Sequence, residues 1–371
     1  MSTRLVDLVQ ARLDEFFSER SGLVTSVAPE LETFLDYSAD LLKGGKRFRA
    51  LFCYWGWQAV GAGRESFDPL DDEQAPRDLG AVVTAAAALE IFHAAALVHD
   101  DIMDNSDTRR GAPSAHVRFT ALHQDARWMG TGTEFGRSAA LLLGDLLLGW
   151  SDEMLDESMN SLHRADSAVA ARQEFNRMRT EVTLGQYLDI LEEESWRSHP
   201  ESELLPRAHR VIVFKSAKYS VQAPLAIGAR LGGASEDQVE ALRTFGLPLG
   251  IAYQLRDDLL GVFGDPAVTG KPAGDDLREG KRTVLIALAR TKLPTNARNL
   301  LDELLGDKNL TAQQIALLQS AVTDSGAIEH VERIIDHNVG LARAALEDAP
   351  LTASARTQLL QLTDTVTKRN F

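Results

Sequence analysis

The sequence has few of the features that mark secreted or membrane-spanning proteins. It contains one cysteine, Cys53, which excludes an intramolecular disulfide and is typical of a reducing compartment. Cys53 lies in the apolar run LFCYWGW, which predicts a buried small residue, with a nucleophile as the alternative. No apolar run approaches the ~20 residues needed to span a bilayer, and the N-terminus lacks a signal-peptide core. We therefore expect a cytoplasmic protein without a transmembrane segment.

Positive charge is also scarce. The 371 residues carry 39 Lys and Arg against 54 Asp and Glu, a formal net charge of −15. This balance argues against general nucleic-acid binding, so an anionic ligand would need a local group of cations. The 27 Gly and 12 Pro are too few for a low-complexity chain. The length alone allows one large domain or two.

Strand signals are absent as well. No stretch of useful length alternates between apolar and polar residues, and no repeat of fixed period is present. Apolar residues instead recur at helical spacing along the chain. The sequence therefore predicts an all-α fold, with helices over 81–104, 207–231 and 244–263 and a charged loop over 192–206.

The clearest chemical signal is the stretch AAALVHDDIMDNSDTRR. Asp100 and Asp104 lie four residues apart and share one helical face, with Asp101 beside them. Like charges at this spacing disfavour a helix unless a cation neutralises them, and an oxygen-only donor set suits Mg²⁺, which shares carboxylates with substrate phosphates. Arg109 and Arg110 could then hold diphosphate oxygens. A helix end that runs into a solvated acidic loop is the alternative.

A second group of cations lies near the N-terminal end of another predicted helix. Lys46 and Arg49 follow two glycines and lie three residues apart. Cations at a helix start oppose its dipole unless an anion binds there, with a solvated basic turn as the alternative. His93 lies two turns before Asp100, roughly 10 Å along the axis, and we expect it to belong to the site rather than to the core.

Further polar groups lie in the second half of the chain. Gln254, Asp257 and Asp258 form a second acidic helix end, which a bundle could bring to the same cavity as the first. The irregular stretch 264–283 has the length of a functional lid. Lys271 and Lys281, in that stretch, could bind phosphate. Lys215 and Ser216 lie mid-helix. Gln186 and Asp189 form a polar pair that we expect to be structural unless it faces the first acidic motif.

Five motifs occur in order, and with them the chain resembles the trans-isoprenyl diphosphate synthases, or polyprenyl synthetases, from about residue 35 to 290. The resemblance implies one domain over residues 1–371, a bundle of antiparallel helices around a deep hydrophobic cavity, and a homodimer. The motifs are GGKRFR at 44–49, HDDIMDNSDTRRG at 99–111, KSAKYS at 215–220, YQLRDDLLGVFGD at 253–265, and the GK at 270–271 with GDDLREGKRT at 274–283.

The resemblance also implies roles for the residues. Three Mg²⁺ ions would be held by the two acidic motifs, and the expected catalytic residues come from these motifs and the mid-helix lysine. The implied ligands of Mg²⁺ are Asp100, Asp101, Asp104, Asp257 and Asp258; the contacts to isopentenyl diphosphate are Lys46, Arg49, His93 and Arg110; those to the allylic diphosphate are Arg109, Lys215, Lys271 and Lys281; Ser216 and Gln254 line the developing carbocation.

The second acidic motif departs from the family pattern. Gly261 stands where the last aspartate of the pattern would be, and Asp265 is too far along the helix to replace it. Ser216 stands where threonine is commoner. We expect Asp257 to ligate metal nonetheless.

Product length should depend on how far the growing chain descends beside the first acidic helix. Ala95 and Ala96 are small and leave the first turn open, whereas Phe92 lies roughly 12 Å down by helical rise and is the first bulky obstacle. This depth favours the C20 product, geranylgeranyl diphosphate, over the C15 farnesyl diphosphate or longer chains.

The sequence thus predicts a Mg²⁺-dependent prenyltransferase that condenses isopentenyl diphosphate with an allylic diphosphate of C5 to C15 by ionisation, condensation and elimination. A class I terpene cyclase is one alternative, but it would not need a second diphosphate site. A non-catalytic regulatory subunit is another, although such a subunit usually loses part of the acidic motif or of the basic loop.

Overall fold

Helices account for nearly all the regular structure of the computed structural model, which describes residues 2–61, 75–265 and 273–367. Within these ranges the only strands are β1 (Thr108–Arg109) and β2 (Ala112–Pro113), which pair antiparallel. The prediction of an all-α fold is confirmed.

The helices are α1 (Ser2–Val27), α2 (Glu32–Leu41), α3 (Phe48–Ala59), α4 (Ala75–Asp104), α5 (Ala115–Asp125), α6 (Gly132–Ser161), α7 (Ala165–Ser195), α8 (Glu201–Val211), α9 (Ala223–Leu231), α10 (Glu236–Phe263), α11 (Asp275–Glu279), α12 (Val284–Lys292), α13 (Thr295–Leu304), α14 (Ala312–Asp324), α15 (Ala327–Ala345) and α16 (Ala353–Thr367). Short 3₁₀ turns cover Pro29–Leu31 and Trp196–Ser198, and a π-helix that we call the π segment covers Ile212–Gln222.

The chain forms two compact units. The first unit comprises Met1–Arg172 and Pro224–Ala234, and the second comprises Gln173–Ala223 and Ser235–Phe371. The single domain over residues 1–371 stays a prediction.

The centre of the first unit is α4, which packs against α3, α6 and α1. Gly144 of α6 allows the ring of His99 on α4 to lie against the α6 backbone, because a Cβ at residue 144 would lie 2.2 Å from Nε2 of His99. Phe16 and Phe17 of α1 close this core edge-to-face on Trp150 of α6, with ring centroids 6.2 and 5.6 Å away. The first acidic motif is therefore carried by a helix that packing fixes along most of its length.

One helix in the described residues is long and apolar enough to cross a membrane, the segment Asp78–Asp104 of α4. The sequence prediction that no apolar run approaches the length of a membrane span therefore underestimated the apolar length of α4. Its most apolar window is, however, 78% buried inside the protein, as expected for a core helix.

The second unit is organised around α10, which packs against the π segment, α11 and α15. Ser235 starts α10 with a capping box, since its side chain accepts from Gln238 N–H and the Gln238 side chain accepts in return from Ser235 N–H. Apolar residues of α8, α10, α12, α14 and α15 form its buried core. The helix that carries the second acidic motif is thus also anchored.

Several boundaries differ from the sequence prediction: α4 begins at Ala75 rather than at residue 81, and α10 begins at Glu236 rather than at residue 244. The loop expected over 192–206 is wrong: α7 continues to Ser195 and α8 begins at Glu201. Pro200 is the N-cap of α8, where a missing N–H costs nothing, and acidic residues in its first turn suit the helix dipole. The predicted helix over 207–231 is helical throughout, but the π segment interrupts it.

Candidate active site

The first acidic motif lies in the last turn of α4. Asp101 is 2% exposed, and its Oδ1 accepts a hydrogen bond from Arg109 Nε at 2.8 Å. Nη2 of Arg109 lies 3.4 Å from Oδ2 of Asp100. The repulsion expected between these carboxylates is therefore offset by the guanidinium of a residue that the sequence predicted to bind diphosphate.

The short hairpin after α4 turns Arg109 back onto the acidic motif. Its two-residue loop, Arg110 and Gly111, has positive φ at both positions (54° and 76°), as in a type I′ turn. This geometry suits the right-handed twist of the paired strands and brings the chain back within a few residues. Arg109 consequently lies against the motif, whereas Arg110 donates to the carbonyl oxygen of Leu41.

The cations predicted to hold isopentenyl diphosphate gather in the first unit. The guanidinium of Arg110 lies 3.4 Å from where a Cβ at Gly45 would be, and Gly45 has φ +84°, so this turn requires glycine. Burial lowers the pKa of His93 well below its ordinary value, and the positive charges of Arg49, Arg110 and Arg109 lower it further. His93 is thus a neutral imidazole within the field of several arginines, a setting that favours binding of an anion.

The side chains predicted to set product length follow one another along α4. Phe92 is 4% exposed, Ala95 is buried and Ala96 is half-buried. Phe92, Ala96 and Asp100 are spaced by four residues and so share one face of the helix. Phe92 therefore lies on the face of Asp100, two turns below it.

In the second unit, Lys215 and Ser216 lie on the π segment. A Cβ at Gly185 of α7 would lie 2.4 Å from Lys215 N, and a Cβ at Gly250 of α10 would lie 2.5 Å from Ala217 O. Both glycines thus permit the π segment to lie against the backbones of α7 and α10. π-Helical turns are frequent at functional sites, although sequence patterns do not reveal them.

Asp189 of α7 joins the two described lysines that were predicted to contact the allylic diphosphate. Its Oδ2 accepts from Lys215 Nζ at 2.5 Å and from Lys281 Nζ at 3.1 Å. Lys281 Nζ also lies 2.9 Å from Oε1 of Glu193. The sequence treated Asp189 as structural unless it faced the first acidic motif, but its contacts place it among the candidate binding residues of the second unit.

The two aspartates of the second acidic motif have different surroundings. Asp257 is exposed, whereas Asp258 is 5% exposed and its Oδ1 accepts from Gln254 Nε2 at 2.8 Å. Within the described residues, Oδ2 of Asp258 has no hydrogen-bond partner. Burial raises the pKa of Asp258 to about 7, with the negative charges of Asp257 and Asp189 adding to the rise. Asp257 is therefore the more accessible carboxylate of the two.

The missing aspartate of the second motif has a structural counterpart. A Cβ at Gly261 would lie 2.0 Å from Oδ2 of Asp276, which α11 carries. The carboxylate of Asp276 thus occupies the position in which a side chain at residue 261 would begin. Lys271, predicted to contact the allylic diphosphate, lies outside the described residues.

The carboxylates of the two motifs suit a hard cation. Among the described residues, no group of three or more His, Cys, Asp or Glu side chains lies close enough to hold a metal ion by itself. Mg²⁺ does not need such a cage, because it binds through one or two carboxylates and completes its shell with substrate phosphates and water. Asp101 and Asp100 already attract one cationic group, Arg109, and Asp257 is accessible. These residues fit Mg²⁺ bound in that way.

The predicted site residues thus form two groups, each within one unit. The first contains Asp100, Asp101, Asp104, Lys46, Arg49, His93, Arg109 and Arg110, and the second contains Lys215, Ser216, Gln254, Asp257, Asp258 and Lys281. The convergence of both groups on one cavity stays a prediction.

Comparison with known proteins agrees with these motifs. A family model described as polyprenyl synthetase matches residues 28–322. The geranylfarnesyl diphosphate synthase of Aeropyrum pernix is 31% identical over 326 residues, covering 88% of this chain and 90% of the relative. The geranylgeranyl diphosphate synthase of Methanosarcina mazei is 29% identical over 372 residues, covering 100% of both.

A solved structure is also similar over the whole chain. It is a geranylgeranyl pyrophosphate synthase from Corynebacterium glutamicum, complexed with isoprenyl diphosphate and magnesium. The TM-score is 0.90 at 37% sequence identity, with 100% of both chains covered.

Proposed function

Since the chain belongs to the polyprenyl synthetase family, we propose that it makes the C20 product geranylgeranyl diphosphate. The enzyme is a trans-prenyltransferase of isoprenoid biosynthesis, and it condenses isopentenyl diphosphate with an allylic diphosphate. Mg²⁺ dependence is part of the proposal, supported by the similar Corynebacterium glutamicum structure, which holds magnesium. The length of the product, the roles of single residues and the number of ions are parts of the proposal.

The proposed ligands of three Mg²⁺ ions are the aspartates of both motifs. Bound there, the ions would supply the positive charge that stabilises the departing diphosphate. Asp100, Asp101 and Asp104 contribute from α4, and Asp257 and Asp258 contribute from α10. In the metal-free protein burial raises the pKa of Asp258 to about 7, so Mg²⁺ bound there would displace a proton from this carboxyl.

The side chains around these ligands bind the allylic diphosphate in our proposal. Arg109 already lies against the first motif, so it can hold a diphosphate oxygen beside the carboxylates. Lys215 and Lys281 are held together by Asp189, which presents two positive charges to the same anion. The allylic C–O bond then ionises, and Ser216 and Gln254 face the resulting cation.

In this proposal, isopentenyl diphosphate binds to the basic side chains of the first unit. Lys46, Arg49 and Arg110 supply charge, and His93 donates a hydrogen bond as a neutral imidazole, in keeping with its lowered pKa. The double bond attacks the allylic cation, a new carbon–carbon bond forms, and transfer of a proton to the released diphosphate completes the product. The exclusion of water protects the cation until the attack occurs.

The position of Phe92 on α4 is the observation that supports the proposed chain length. Phe92 is buried two turns below Asp100, and the positions four and five residues before Asp100 are the small residues Ala96 and Ala95. Roughly 12 Å of helix separates Phe92 from Asp100, which favours a product of intermediate length. A bulky residue nearer to the motif would favour a shorter product.

Product analysis tests this proposal. The protein is incubated with Mg²⁺, isopentenyl diphosphate and each of the C5, C10 and C15 allylic starters, and the products are separated by chain length. A dominant C20 product is expected from every starter. A C15 or C25 product would refute the chain length, hydrocarbon from an allylic diphosphate alone would indicate a cyclase, and no turnover of any starter would indicate a regulatory subunit.

We further propose a cytoplasmic homodimer. Leu141 and Leu142 are exposed next to each other on α6, and a second copy of the chain could cover them. Light scattering of the purified protein should give twice the chain mass of 40.6 kDa. The monomer mass would refute the dimer.

A further inference from the structure

The start of α3 is stabilised by a residue of another helix. Arg47 is the N-cap of α3 with φ 49°, and its side chain does not cap the helix. The N–H of Ala50, the third residue of α3, donates instead to Oε1 of Glu90 on α4 at 3.3 Å. Glu90 thus satisfies one of the backbone N–H groups that a helix start leaves without an intrahelical partner.

The second oxygen of the same carboxylate binds the N-cap residue. Oε2 of Glu90 lies 3.4 Å from Nη1 of Arg47. Nη2 of Arg47 also donates to Oε1 of Gln10 on α1 and to the carbonyl oxygen of Leu42, the C-cap of α2. Glu90 and Arg47 are 6% and 4% exposed, so solvent screens this ion pair little. The pair therefore ties α1, the end of α2, the start of α3 and α4 together.

The neighbours of this pair are three of the residues predicted to bind isopentenyl diphosphate. Lys46 and Arg49 flank Arg47 in the chain, and His93 lies three residues after Glu90 on the same face of α4. Any shift of Arg47 relative to Glu90 changes the distance from Lys46 and Arg49 to His93. The local sequence would not hold this turn by itself, because an arginine with positive φ is strained.

We propose that Glu90 is a positioning residue for isopentenyl diphosphate: its two carboxylate oxygens, on Arg47 and on the start of α3, fix the spacing of Lys46 and Arg49 from His93. Glu90 does not contact the substrate. This inference rests on the proposed assignment of Lys46, Arg49 and His93 to isopentenyl diphosphate.

Glu90→Gln is the first test. Glutamine keeps the size of the side chain and an oxygen for the Ala50 N–H, but it removes the charge that holds Arg47. We expect KM for isopentenyl diphosphate to rise about tenfold or more, since a misplacement of about 1 Å can cost that much. KM for the allylic diphosphate should stay within about twofold of the wild-type value, because the groups proposed to bind that substrate are unchanged.

Ser151→Ala is the matched control. Ser151 is buried on α6, and its Oγ donates to the carbonyl oxygen of Ala88 on α4 at 2.7 Å, two residues from Glu90. This variant weakens the anchoring of the same helix without touching Arg47. It should lower the melting temperature and leave the ratio of the two KM values unchanged. If Glu90→Gln changes neither KM, or if both variants raise both KM values together, the inference is wrong.

A second variant keeps the test decisive if Glu90→Gln does not fold. Arg47→Met combined with Glu90→Gln removes both charges and leaves no unpaired charge buried. We expect a folded protein with a raised KM for isopentenyl diphosphate, because the bonds of Arg47 to Gln10 and Leu42 are lost as well. A wild-type KM in this double variant would overturn the inference.

Lys46→Ala separates this inference from the assignment on which it rests. A raised KM for isopentenyl diphosphate in Lys46→Ala, together with a wild-type KM in Glu90→Gln, refutes the positioning role alone. An unchanged KM in Lys46→Ala refutes the assignment and the inference with it. Calorimetric titration of isopentenyl diphosphate in the absence of an allylic substrate should give the same order of affinities as the KM values.

Discussion

The buried carboxyl of Asp258 should make the stability of the metal-free protein depend on pH. Burial raises its pKa to about 7, against 3.8 for an ordinary aspartate, and the charges of Asp257 and Asp189 act in the same direction. The folded protein therefore holds this proton more tightly than the unfolded chain does. The resulting stabilisation is complete below about pH 4 and is lost as the pH rises through about 7.

The magnitude follows from the interval between the two pKa values. The interval from about pH 5 to the folded-state pKa of about 7 is two pH units, and each unit corresponds to about 1.4 kcal/mol. Ionisation of Asp258 should therefore lower the unfolding free energy by about 2–3 kcal/mol between about pH 5 and 8. Asp258→Asn cannot ionise and keeps an oxygen for the Gln254 side chain. Between about pH 5 and 8 the wild type should therefore lose about 2–3 kcal/mol more unfolding free energy than this variant does.

Urea unfolding at several pH values, with a chelator present to exclude bound Mg²⁺, measures this difference. Asp237→Asn is the matched control, because it removes an exposed carboxylate from the first turn of the same helix. It should follow the wild type. If Asp258→Asn and the wild type lose stability in parallel, within about 0.5 kcal/mol, the buried carboxyl does not hold its proton and the reasoning fails.

Three further substitutions test other parts of the site. Phe92→Ala removes the first bulky side chain below Asp100 and should shift the products to longer chains; an unchanged profile on chromatography would contradict its role. Asp189→Asn leaves Lys215 and Lys281 without their shared carboxylate. It should lower kcat/KM for the allylic diphosphate by about tenfold or more, as expected for a lost charge-assisted bond. Equal effects on kcat/KM for both substrates would argue against this role of Asp189. Gly261→Asp should lower stability by about 1–3 kcal/mol through overpacking, because its Cβ would lie 2.0 Å from the Asp276 carboxylate. Adding Asp276→Gly should recover most of the melting temperature, and a double variant no better than the single one would refute this explanation.

Local patterns were sufficient to predict the fold class and the family. Helical periodicity predicted an all-α chain, and the ordered motifs from GGKRFR to GDDLREGKRT predicted a polyprenyl synthetase. These signals are local, because a helix depends on residues three and four apart and a motif is a short run of letters. The loop over 192–206 was wrong because charge was taken as a sign of irregular structure, although Glu201 and Glu203 stabilise the start of α8.

The sequence by itself determined that this is a helical prenyltransferase with two acidic motifs, and it identified the lysines, arginines and histidine that accompany them. Tertiary structure alone decided which other residues contact the predicted site residues and the motifs that carry them. Glu90 binds Arg47 43 residues away, Asp189 binds Lys215 and also Lys281, which lies 92 residues further along the chain than Asp189, and Asp276 lies against Gly261. No local pattern encodes these partners, because each contact exists only after helices that are distant in the sequence have packed, and packing depends on the shape and burial of all the side chains between them.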